Sequence, residues 1–104
     1  MLIVTINEIP GRKTINTLGI VKGQIVQSKN IGRDFMAGMK NIVGGEVKSY
    51  TDMICDARSI ATNRMIEEGK KLGADAIIGV RYSTSSVMQG AAEILVYGTA
   101  VKLD

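Results

Sequence analysis

Residues 51–82, TDMICDARSIATNRMIEEGKKLGADAIIGVRY, carry two periodicities in succession, and the switch between them decides the fold. At about 100° per residue, Met53, Ile54, Ala57, Ile60, Ala61, Met65 and Leu72 fall on one broad apolar stripe, with Asp52, Asp56, Ser59, Asn63 and Lys70 opposite. Ser49, Thr51 and Asp52 offer capping oxygens and negative charge at the start. Lys70 and Lys71 suit the negative end of the dipole, and Gly73 accepts a left-handed cap. The spacing predicts one long helix over 51–72. The uninterrupted run Ala76-Ile77-Ile78-Gly79-Val80 then reads as a strand, predicted over 75–83. Alanines on the stripe predict a helix lying close on a sheet, with Met65 filling irregular gaps.

Outward from this stretch the pattern is of strands. Residues 93–103 alternate Leu95, Tyr97, Thr99 and Val101 against Ile94, Val96, Gly98 and Ala100. The small, polar link over 85–92, with Gln89-Gly90 inside it, predicts a hairpin, so the last two strands should pair antiparallel. Toward the N-terminus, residues 2–5 form a short β-prone run before the turn residues Pro10-Gly11. Residues 15–28 then read as one long strand. Glycine inside a strand weakens it unless something requires it, so Gly19 and Gly23 predict a bend or the close approach of another backbone. Phe35, Met36, Met39, Ile42 and Val43 recur at helical spacing before Gly44-Gly45, which predicts a short helix. The expected order is ββααββ in a single domain over 1–104. This is a two-layer α+β fold, a curved antiparallel sheet with one long and one short helix.

Composition narrows the functional classes. The chain has 104 residues, 45% of them hydrophobic and 22% charged, with three Tyr, one Phe and no Trp, so aliphatic residues and Met must fill the core. Cys55 is the only cysteine and can form no internal disulfide; the first ten residues lack the pattern of a secretory signal. A cytoplasmic setting is expected. Charges at short intervals, among them Lys22, Asp52, Glu67, Arg81 and Glu93, leave no apolar run of the length a membrane span needs. The net charge of +3 is scattered; Lys70 and Lys71 follow Glu67 and Glu68, and no aromatic residues interleave to stack bases. No nucleic-acid partner is expected.

Gly44-Gly45-Glu46, Ala57-Arg58, Ala61, Arg64-Met65, Glu68 and the run from Leu72-Gly73-Ala74-Asp75 through Ile78-Gly79-Val80-Arg81-Tyr82 resemble the YbjQ-like family of uncharacterised bacterial proteins. That family is also described as a "putative heavy-metal-binding domain". The resemblance extends over nearly the whole chain. It implies a curved antiparallel sheet crossed by a long helix, similar to a dodecin subunit, and assembly into a ring, a pentamer. It implies no established activity and no cofactor.

Two constellations could carry chemistry. Asp52, Cys55 and Asp56, at i, i+3 and i+4, put a thiol and two carboxylates on the polar face of the helix. They are the best available metal or metalloid ligands, although a chain without His lacks the usual donors for Zn or Cu, and helix-dipole complementarity explains the acids equally well. Arg64 and Glu68, at i and i+4 near the apolar stripe, with Arg58 on its opposite edge and Glu46 from the preceding loop, form either an ion-pair network or an anion or ligand pocket; the structural network is the favoured expectation. Ser83, Thr84, Ser85 and Ser86 have no His base. Gly38 is followed by Met39 and not the Lys of a phosphate-binding loop. An enzyme would depend on Glu46 or Glu68 as a buried acid or base. The expected function is therefore a non-enzymatic homo-oligomeric assembly or small-ligand-binding module. Its contacts should run through sheet edges and the 15–28 strand, because one helix covers only one face of a small sheet.

Overall fold

A computed structural model describes residues 1–28 and 48–104. Strands β1 (Leu2–Ile3), β2 (Thr14–Ser28), β3 (Ala76–Met88) and β4 (Ala91–Leu103) form one open sheet in the order β1-β3-β4-β2, and helix α1 (Lys48–Lys71) lies across it. The class is α+β, as the alternating patterns predict. The short helix expected around residues 35–43 lies outside the described residues, so the ββααββ order is not established.

The sheet is mixed rather than antiparallel. β4 pairs antiparallel with both β2 and β3, whereas β1 runs parallel to β3 through Leu2↔Ala76 and Ile3↔Ile77. Two residues of strand carry no directional signal in their sequence. The chain beyond them holds the alignment, with Val4 N–H donating to the Ile77 carbonyl at 2.9 Å and Gly79 N–H to the Ile6 carbonyl at 2.9 Å. The hairpin link is also shorter than expected. β3 continues to Met88 and only Gln89-Gly90 turns, with Gly90 at φ 76°. Ser83 to Ser86 have loop-like composition, but they occupy the part of β3 that β1 does not reach, where residues 81–88 are exposed.

Met53, Ala57, Ala61 and Met65 are fully buried, and they meet Val21, Ile77, Ile94, Val96 and Ala100 of the sheet. Gly23 of β2 makes this approach possible. A Cβ there would stand 2.6 Å from Met65 N and 2.8 Å from Ala61 C, both helix backbone atoms. Gly19 serves differently: it has φ 126° beside the register shift between Thr17 and Gly19. Ile60, at the margin of the stripe, and Leu72, past the last helical residue, are exposed. At its end the helix closes as the sequence predicts. Gly73 adopts φ 78°, its N–H donates to the Lys70 carbonyl at 3.0 Å, and Ala74 N–H reaches the Gly69 carbonyl at 3.0 Å. At the other end α1 starts at Lys48 and has no acidic residue in its first turn, so Ser49, Thr51 and Asp52 all lie inside the helix.

Beyond the helix, Asp75 turns the chain into β3. Its carboxylate accepts the Leu103 N–H at 2.9 Å and stands 3.5 Å from Lys102 Nζ, tying the start of β3 to the end of β4. The Leu103 hydrogen bond, with the Lys102 ammonium beside it, holds the Asp75 carboxyl below its ordinary value of 3.8.

Candidate functional site

The packing that buries Met65 brings the neighbouring polar face of α1 against the free edge of β2. There a groove of about 530 Å³ opens, lined by Lys22, Gly23 and Gln24 of the strand and by residues 60–71 of the helix, Arg64, Glu67, Glu68 and Lys71 among them. An edge strand has outward backbone groups with no strand partner. Two of those groups are met by helix side chains: Arg64 Nη1 donates to the Gln24 carbonyl at 2.7 Å, and the Lys22 N–H donates to Glu68 Oε1 at 3.4 Å. Arg64 is therefore held against a neutral acceptor.

This differs from the favoured sequence expectation. Arg64 and Glu68 share the groove but form no ion pair; among the described residues the only pair touching the groove is Lys70 Nζ with Glu67 Oε1, 3.6 Å apart. The edge carbonyl takes the guanidinium that was expected to go to Glu68. Arg58 is exposed and outside the groove, where its backbone carbonyl accepts the Thr62 hydroxyl at 2.7 Å. Glu46 lies outside the described residues. Sequence reasoning missed Lys22, Gln24 and Lys71. The signal for the first two was Gly23, since a strand glycine that admits a helix backbone also delivers its neighbours to that helix.

Asp52, Cys55 and Asp56 are exposed on α1. Among the described residues no group of three His, Cys, Asp or Glu side chains converges to hold a metal ion, so this trio does not form the centre that its spacing suggested. With no His in the chain and its one thiol on an open helix surface, the donor set does not fit a heavy-metal site. Glu68 is exposed as well, and it lacks the burial that an acid–base role would require.

These features define a small two-layer α+β protein with an open polar groove along one sheet edge. Within that class, the chain belongs to the YbjQ family, whose description, "putative heavy-metal-binding", it matches over residues 1–104. The UPF0145 protein of Clostridium novyi is 58% identical over 103 residues, covering 99% of each chain. A UPF0145 protein of Thermus thermophilus is 54% identical over 104 residues, covering 100% of this chain and 91% of the relative. The crystal structure of a protein with unknown function of the DUF74 family, from Pediococcus pentosaceus, superposes with a TM-score of 0.66 at 18% identity. It covers 100% of this chain and 98% of that one, which shows a shared fold. No helix among the described residues is long and apolar enough to cross a membrane.

Proposed function

We propose that this chain is a non-enzymatic, cytoplasmic subunit of a closed homo-oligomeric ring, one domain over 1–104, with small-ligand sites in its grooves. One observation carries the reading: the sheet face turned away from α1 keeps large apolar side chains in solvent. Cross-strand pairing puts Ile20 opposite Thr99, Lys22 opposite Tyr97, Gln24 opposite Leu95 and Val26 opposite Glu93 on that face. Ile20 is 79% exposed and Val26 60%. Ile20, Tyr97, Leu95 and Val26 are set among Lys22, Gln24, Thr99 and Glu93 there, a mixed surface of the kind that protein interfaces use. Among the described residues α1 covers one face of the sheet, and the segment before β2 covers only the far end of the other, where Ile9 packs on the cluster of Ala76, Val101 and Leu103.

A second copy of the chain is the simplest cover. β2 outside its Lys22–Gln24 segment and the exposed stretch of β3 over 81–88 are unlike edges at opposite sides of the sheet. Contacts between unlike surfaces, repeated about an axis, close into a ring. Five copies and a dodecin-like subunit are what the family resemblance adds. The test is a double substitution, Ile20→Lys with Val26→Lys, followed by sedimentation velocity. Charges at these two positions should shift the protein to species smaller than the wild-type assembly while circular dichroism stays native. An unchanged sedimentation coefficient would remove this face from the interface.

A further inference from the structure

We infer that the groove between the β2 edge and α1 binds the oxyanionic group, phosphate or carboxylate, of a small molecule, with Arg64 and Lys71 as its cationic contacts. The inference rests on the ligand-binding half of the proposed function and gives it a place and a chemical class. Arg64 is the centre of the argument. A guanidinium has five N–H donors; one goes to the Gln24 carbonyl, and the others have no partner among the described residues. Because that acceptor is neutral, the bond fixes the side chain without cancelling its charge. A surface arginine ordinarily gives up conformational freedom when it takes hold of an anion, and an anchored one has already given up part of it.

Arg64 and Lys71 stand on the helix wall of the groove, and neither forms an ion pair among the described residues; Lys22 meets the groove through its backbone, its side chain belonging to the opposite sheet face. Of the two acids, Glu67 is paired with Lys70 and Glu68 is turned to the Lys22 backbone N–H. Arg64 and Lys71 are seven residues apart, two turns on one face of the helix and about 10 Å along its axis, a span that two long side chains can close on one group between them. The planar fork of Arg64 suits a carboxylate or phosphate, and Lys71 adds a second charge. Glu68 remains as an acceptor for a hydroxyl or ammonium group on the same ligand.

Amide chemical shifts of the intact protein, titrated separately with inorganic phosphate and with succinate at low salt and neutral pH, test this directly. Saturable shifts should concentrate at Lys22, Gln24 and residues 63–71, and weaken at about 0.15 M salt. Arg64→Gln should weaken binding about tenfold, the loss of a charged hydrogen bond, and Lys71→Gln about threefold. Glu68→Gln should tighten it. Saturation by only one of the two probes supports the inference and names the source of the oxyanion. Shifts that never saturate, or that are the same in Arg64→Gln and Lys71→Gln as in the wild type, overturn it. Light scattering on the same samples separates the two proposals. Binding by a monomer sinks the ring and keeps the groove, whereas a ring without binding sinks the groove alone.

Discussion

Gly23 sets how closely the helix can lie on the sheet. Its missing side chain is the space in which the Ala61 carbonyl and the Met65 amide sit, so the helix-to-sheet distance is set by one absent methyl group. Backbone atoms cannot rotate out of the way as a side-chain end can. Gly23→Ala should therefore cost about 3 kcal/mol, the upper end of overpacking penalties, as a lower urea midpoint at matched protein concentration; an unchanged midpoint would mean that α1 does not seat there. Asp75 makes a second prediction. Its carboxyl titrates below 3.8 in the folded chain, so its contribution to stability is fully present above that value. It is lost as pH falls through the depressed folded one. The wild type should exceed Asp75→Asn in stability at neutral pH, and the gap should narrow below about pH 4. A gap constant from pH 7 to pH 2 would show that the Leu103 and Lys102 contacts do not act through the charge. Gly23 was legible in part, because a strand glycine asks for a reason. The Arg64 bond to the Gln24 carbonyl was not, because every residue has a carbonyl and only the packed edge decides which one is free.

At the scale of elements, the sequence is most legible where a pattern is long. α1 and β4 have periods sustained over many residues, and both appear within a few residues of their expected ends. The start of α1 was misplaced because Ser49, Thr51 and Asp52 are good capping types, yet helical geometry extends back to Lys48. The direction of β1 was beyond reach, since two residues show no period. At the other end of α1 the cap is specific enough to test. Gly73 holds a left-handed conformation with open space where a Cβ would be, so Gly73→Ala meets backbone strain and no clash. A loss of about 1 kcal/mol in chemical unfolding is expected. A loss above about 3 kcal/mol would mean that the position contacts something the fold does not explain.

In the whole molecule, a sheet covered by one helix among the described residues is the physical reason for the proposed assembly. Helix α1 buries one face; the other exposes Ile20 and Val26, and β3, beyond the two residues it pairs with β1, carries eight consecutive exposed residues from Arg81 to Met88. Sequence patterning anticipated this imbalance from one long amphipathic helix set against several strands with apolar residues on both sides, but it could not name the exposed face, which depends on which strands are central. β4 is central and buried along most of its length, so apolar exposure falls to β2 and β3. The measurement that bears on this most directly is multi-angle light scattering of the wild-type protein at micromolar concentration. One discrete mass of at least twice 11.1 kDa is expected, five times that value by the family resemblance, and unchanged on tenfold dilution. A single species at 11.1 kDa would contradict it.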